Sequence, residues 1–197
     1  MKTIAALHRI ETVINRSRFI ASADHIDSVE AAGFFLKSIS DPDATHNCWA
    51  YKFGEHYRFS DDGEPGGTAG RPILSAIENA GLDNVAVMVT RFFGGIKLGA
   101  GGLVRAYGGT AASCLHAAAK VEIFPRTIMK VTVPFDLMGH IHTLISRMDI
   151  NKLKETFTQT GCTFTLDIES AASEAITTAI RDATRGLAEI KELVNAD

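Results

Sequence analysis

Two glycine-rich stretches hold most of the residues able to do chemistry. The first runs from Arg58 to Pro72 and places Ser60, Asp61, Asp62, Gly63 and Glu64 together, followed by Thr68, Gly70 and Arg71. The second runs from Arg91 to Tyr107 and carries Gly94, Gly95, Lys97, Gly99, Gly101, Gly102 and Arg105. Twelve of the seventeen glycines lie between Gly63 and Gly109. Glycine costs chain entropy and lets a neighbour come close, so this concentration marks two tight, shaped loops. Loops held on a rigid scaffold are the usual place for binding groups.

A strand, a glycine-rich loop and a helix make up a phosphate-binding layout, because loop amides and a helix N-terminus both favour an anion. Lys97 and Arg105 add positive charge there, and Arg18, Arg71 and Arg91 complete a candidate phosphate-contacting set. The spacing matches neither G-x-x-x-x-G-K-[ST] nor the dinucleotide fingerprint. The phosphate could therefore belong to a nucleotide or to a nucleic-acid backbone.

Three carboxylates and a hydroxyl within Ser60–Glu64 could hold Mg²⁺ or supply a general base. The alternative is an acidic turn that caps backbone and pairs with Arg58, Arg71 or Arg91. The turn is preferred, since adjacent Asp61 and Asp62 need not converge on one ion and the stretch is not an EF-hand loop. No resident cofactor is expected, with Mg²⁺ the one candidate. His46 and Cys48 could form a nucleophilic pair, but a small buried cysteine is the commoner outcome on a half-buried strand. Trp49, Phe92, Phe93 and Tyr107 could stack on bases or belong to the core. His140 and His142 do not share a helix face and make a poor metal site.

A net charge of -3 excludes a uniformly basic nucleic-acid binder. A local bias remains: from Val85 to Pro125, Arg91, Lys97, Arg105 and Lys120 stand against Glu122 alone. Hydrophobic content of 46% with 22% charged residues describes an ordinary globular chain. Cys48, Cys114 and Cys162 are odd in number and far apart, as in reduced proteins. The first residues lack the apolar centre of a signal peptide, and no apolar run would span a bilayer. A cytoplasmic protein with no membrane partner is expected.

These loops need elements to hold them. Glu11–Ala21 reads as extended. Asp27 with Glu30 forms a capping box for a helix on which Val29, Ala32, Phe35, Leu36 and Ile39 recur at helical spacing. Asn47–Phe53 alternates like a strand, and Tyr57–Phe59 follows as its partner. Pro72 suits an early helix position. Val85–Val89 is a continuous apolar run, expected of a buried central strand. A helix from Leu103 to about Val121 follows, with Gly108–Gly109 explained by packing on a sheet. Beyond Pro125 the pattern becomes strand (Ile128–Val133), helix (to about Met148), one or two strands (Phe157, Cys162–Ile168), helix (Ala171–Leu187) and a short strand (Ile190–Val194). That order is the β-α-β-β-α-β, ferredoxin-like pattern. An α+β protein of two domains, 1–125 and 126–197, is expected.

The chain resembles the YigZ/IMPACT family. The matching residues are Ser17–Ala21, Ala44–Tyr51, Phe59–Pro65, Gly67–Gly70 with Pro72, and Gly94–Gly95 through to Tyr107. The resemblance is strong from about Thr12 to Thr110. It implies an N-terminal domain with the fold of ribosomal protein S5 domain 2 and a ferredoxin-like C-terminal domain, a pair that is similar to consecutive domains of a translocating elongation factor. It further implies a nucleic-acid- or ribosome-associated role linked to translation. Phe92 stands where the family often has tyrosine, and the short C-terminal end leaves the last strand weak or absent.

The expected function is thus non-enzymatic binding of RNA or the ribosome through Arg18, Arg71, Arg91, Lys97, Arg105 and the second-loop glycines. His46, Ser60, Asp61, Asp62, Gly63, Glu64, Thr68, Gly70 and Tyr107 would shape the loops or touch the ligand. Two alternatives stand beside it: an enzyme acting on a phosphorylated small molecule or nucleotide, and a protein-interaction module in translation control.

Overall fold

A computed structural model describes residues 1–193, and the chain divides into one unit from Met1 to Ile123 and a second that begins at Phe124. Three strands open the first unit: β1 (Lys2–Ile4), β2 (His8–Ile14) and β3 (Ser17–His25). β2 and β3 form a hairpin where the sequence suggested one extended segment. Asn15 and Arg16, at φ 46° and 67°, make a two-residue loop whose twist suits paired strands. Helix α1 (Val29–Ile39) is capped by Ser28, not by Asp27. Ser28 Oγ accepts from Ala31 N at 3.0 Å, whereas the Asp27 carboxylate meets the His25 ring at 2.7 Å.

There follow β4 (His46–Phe53), β5 (His56–Ser60), α2 (Gly70–Asn79), β6 (Val85–Phe92), α3 (Gly99–Ala117) and β7 (Lys120–Glu122). Five strands pair antiparallel in the order β2-β3-β6-β4-β5, and β1 pairs with β7. The central β6 explains the apolar run. Val85, Val87 and Val89 join the core made with α2 and α3, while Ala86 and Met88 join the one made with α1. A strand covered on both faces has no polar side to alternate with.

Helix α3 starts at Gly99, four residues before the expected Leu103, so half of the second loop is helical. The glycine pair inside it is not a contact with the sheet. A Cβ on Gly108 would lie 3.4 Å from Pro72 of α2, and one on Gly109 would meet nothing within 4 Å.

The second unit contains β8 (Arg126–Pro134), α4 (Met138–Arg147), β9 (Asn151–Phe157), β10 (Gly161–Glu169), α5 (Ser173–Thr184) and β11 (Glu189–Leu193). Its strands pair antiparallel in the order β11-β8-β10-β9. Met129, Val131, Phe164 and Leu166 pack with Ile141 and Leu144 of α4 and Ile176 and Ile180 of α5. β9 is largely exposed and polar, which is why the sequence marked only its end, Phe157. The last strand is present: Glu189–Leu193 pairs with β8 over five residues. Val194, the remainder of that expected strand, lies outside the described residues. Among the described residues no helix is long and apolar enough to cross a membrane.

Candidate anion-binding site

The acidic stretch leaves β5 and folds back on the start of β4. Asp61 spends its carboxylate on backbone. Oδ2 accepts from Gly67 N at 2.8 Å, and Oδ1 from Ala69 N at 2.9 Å and Gly70 N at 2.8 Å. Burial works against that charge, yet the three amides outweigh it and hold the carboxyl below its ordinary pKa. Asp62, at φ 43°, turns its Oδ2 to Asn47 N at 2.5 Å, and its carbonyl accepts from His46 Nδ1 at 2.7 Å. Ser60 Oγ accepts from Asp62 N at 3.2 Å, and Thr68 Oγ1 donates to Pro65 O at 2.6 Å. The backbone closes so tightly that a Cβ on Gly70 would stand 2.7 Å from Ser60 O.

Glu64 carries the loop into the core. Its Oε1 accepts from Arg91 Nη1 at 2.5 Å and from Tyr107 OH at 2.8 Å. His46 Nε2 lies 3.8 Å from the same oxygen. Arg91 is only 5% exposed and Tyr107 is fully buried. The Arg91 guanidinium lies 5.4 Å from the centroids of both Phe19 and Phe93, and Phe19 meets Tyr107 edge-on at 5.2 Å. Burying a carboxylate is costly unless it is paired and hydrogen-bonded; here one oxygen has both. The Arg91 Nε–H has no partner among the described residues.

Cys48 sits on the β4 face shared by His46, and its Sγ donates to Asp61 O at 3.0 Å. Burial is the main cause that pushes its thiol up to about 12. Cys48 is fully buried in the core formed with α2 and α3, and burial holds its thiol in the protonated, weakly nucleophilic form.

Above this floor the chain leaves β6 through Phe93–Leu98 and enters α3. Phe93 N donates to Thr45 Oγ1 at 2.9 Å, and Gly94 N to Ser17 Oγ at 3.1 Å. A Cβ on Gly94 would lie 2.1 Å from the Arg16 backbone, so glycine alone allows that approach. α3 has Leu98 at its N-cap and no side-chain cap, leaving first-turn amides free. A cavity of about 440 Å³ opens here, lined by Thr45, His46, Glu64, Pro65, Arg91, Phe93 and Lys97, then by the start of α3. Lys97 is exposed and has no hydrogen-bond or ion-pair partner among the described residues. A free ammonium and uncapped first-turn amides are groups that favour an anion, while the Arg91 guanidinium in the floor is already paired with Glu64.

The candidate cations do not share one surface. Arg91 lies in the floor and Lys97 at the mouth. Arg18 makes a two-pronged contact with Glu11, both bonds 3.0 Å, and its guanidinium lies 5.2 Å from the Phe92 ring centroid. Arg71 and Arg105 line a separate groove between α2 and α3. Tyr107 is buried and cannot stack on a base; Trp49 lies parallel to Tyr51 in the cluster beneath α1. Phe93, 46% exposed, is the aromatic ring at the cavity mouth. Thr45 and Leu98 were not legible as site residues. Their signal is positional: one immediately precedes β4, the other α3.

Sequence comparison gives this architecture a family. Residues 15–115 match the Impact N-terminal domain. An IMPACT family member of Thermus thermophilus, encoded in the pol 5' region, is 46% identical over 175 residues, 88% of this chain and 97% of that one. IMPACT family member YigZ of Escherichia coli is 38% identical over 143 residues, 69% of this chain and 70% of that one. A crystal structure of a hypothetical protein superposes with a TM-score of 0.78 at 31% identity, covering 99% of this chain and 98% of that one. The chain belongs to the IMPACT family.

Proposed function

We propose that the chain is a non-enzymatic RNA-binding protein, associated with the ribosome and translation, that takes a backbone phosphate into the cavity at the start of α3. The observation that carries this is the free Lys97 ammonium beside an uncapped helix start, over a buried arginine whose Nε–H lacks a partner among the described residues. The half-exposed Phe93 at the mouth offers a base-stacking surface next to the phosphate position. Further support comes from the element order of the two units, read as an S5 domain 2-like domain followed by a ferredoxin-like one. In the second, strands 4-1-3-2 of a β-α-β-β-α-β unit carry both helices in one core.

A phosphorylated small molecule would use the same cation and amides. Asp61 is a poor candidate for its metal ligand or base, because both its oxygens accept from backbone amides; Glu64 has one oxygen, Oε1, taken by Arg91 and Tyr107. The test is a titration of a single-stranded oligoribonucleotide at two salt concentrations. Binding should weaken with salt, and Lys97→Ala should lower the salt slope by about one. Phe93→Ala should weaken binding by about 1–3 kcal/mol. Absence of binding at low salt, or a Lys97→Ala slope equal to the wild-type one, refutes the proposal. Saturable binding of a mononucleotide without RNA binding would assign the cavity to a small molecule.

A further inference from the structure

A second concavity, of about 860 Å³, lies between α2 and α3 on the opposite side of those helices from the sheet core. Its floor is shallow and small: Pro72 and Ala76 from α2, Gly108, Gly109 and Ala112 from α3. Its rim is cationic, with Arg71, Arg105 and Lys120, and no aspartate or glutamate among the described residues lines it. Arg105 has no hydrogen-bond or ion-pair partner among the described residues, and Arg71 reaches Glu78 only at 4.0 Å between exposed side chains.

Gly109 is the informative residue. A glycine within a helix is unfavourable, and it persists where something must come close. Its neighbour Gly108 faces Pro72 of α2, which a Cβ there would touch at 3.4 Å, an ordinary contact distance. A Cβ on Gly109 would meet nothing within 4 Å, yet the residue lines the groove. Within this unit nothing described needs Gly109 to lack a side chain; an external backbone lying against α3 would.

We propose that the groove between α2 and α3 docks an acidic amphipathic helix of a partner protein. The small apolar floor suits the apolar stripe of a helix approaching closely, as in helix-in-groove recognition. The rim of arginine and lysine suits carboxylates along its flanks and disfavours a basic partner. The wall from Val104 to His116 is about 18 Å long at 1.5 Å per residue, roughly three turns of a docked helix. The apolar floor favours a protein helix over a nucleic acid, whose backbone would bring charge onto Ala76, Gly109 and Ala112. The groove is lined by neither Lys97 nor Phe93, so this proposal and the RNA proposal fail separately.

The experiment titrates the isotope-labelled full chain with a stapled helical peptide of about 14 residues, nearly four turns. One face carries Leu and Ala, and the flanks carry Glu. A peptide with Lys in place of Glu is the control. The acidic peptide should saturably shift the amides of residues 71–79 and 104–116, and the basic one should not. Gly109→Leu puts a side chain into the groove at a position where its Cβ meets nothing within 4 Å. It should leave the melting temperature unchanged or raised and weaken peptide binding about tenfold or more, one decade being about 1.4 kcal/mol. Arg71→Glu with Arg105→Glu should reverse the preference to the basic peptide. Equal shifts from both peptides, no saturable shift in these segments, or unchanged binding by folded Gly109→Leu overturns the proposal. An oligoribonucleotide that displaces the acidic peptide from these amides would assign the groove to nucleic acid and overturn it as well.

Discussion

Replacing Arg91 by methionine tests the floor of the site directly. The variant keeps the aliphatic bulk between Phe19 and Phe93 but removes the cation from Glu64. The two side chains are 6% and 4% exposed and 2.5 Å apart. Removing one partner from a buried pair costs about 3–5 kcal/mol, because the remaining charge is left uncompensated. For the residues from Met1 to Ile123, an unfolding entropy near 2.1 cal/mol/K per residue sums to about 0.26 kcal/mol/K. The first unit should therefore melt about 12–19 °C lower. Trp49, the one tryptophan of the chain, lies on β4 of that unit, so its fluorescence follows this unit rather than the other. Urea unfolding read on Trp49 gives the energy, and the double variant Arg91→Met with Glu64→Gln isolates the pair. The Glu64→Gln change keeps an acceptor for Tyr107 OH without a charge. The double variant should be more stable than Arg91→Met alone, by about 1–2 kcal/mol within the range of such couplings. A loss below about 1 kcal/mol for Arg91→Met, typical of exposed pairs, would refute the description of a buried, fixed floor.

Two further outcomes follow from the loop geometry. Asp61 has its pKa lowered in the folded state, so its stabilisation is complete above the unfolded value of about 3.9 and is lost as pH falls through the depressed folded value. Asp61→Asn should lower stability at pH 7 by about 1–3 kcal/mol and flatten the acid limb of a stability–pH curve below about pH 4; an unchanged limb would show that the amide contacts do not form. Gly94→Ala should destabilise far more than Gly95→Ala. The first puts a Cβ 2.1 Å from Arg16 backbone, and the second meets nothing within 4 Å and suffers only its φ of 85°, about 1–2 kcal/mol for an L-residue. Equal melting temperatures for the two would refute the close approach of the Gly94 turn to the β2–β3 hairpin.

Local pattern carried much of the fold. The β6 run, the alternation of β4, the spacing of α1 and the element order of the second unit are all visible because side-chain periodicity reports burial directly. Where neighbours set the outcome, sequence was a weaker guide. Ser28 and Asp27 are both good caps, and the draw of His25 on Asp27 decided between them. β9 escaped because an exposed strand has little apolar signal. The sequence pattern starts α3 four residues late, since Gly99, Gly101 and Gly102 disfavour helix locally and the core-packed residues of the helix begin only at Leu103.

The sequence by itself determined that most of the glycines and most of the candidate site residues gather in two stretches. It favoured a turn over a metal site or base for the acidic residues, and the turn is local: Asp61 bonds backbone a few residues away along the chain. It named Arg91 among three arginines that could pair with that turn. Only the tertiary structure decided that Arg91 meets Glu64, 27 residues distant, and that Tyr107, 43 residues distant, shares the same oxygen. Only the structure separated five cations of like sequence character into a buried floor, a free cavity mouth, a groove rim and a neutralised surface pair. Charge and residue type are local properties of the chain, whereas whether a charge is buried, paired or free depends on which distant segments the sheet and helices bring beside it.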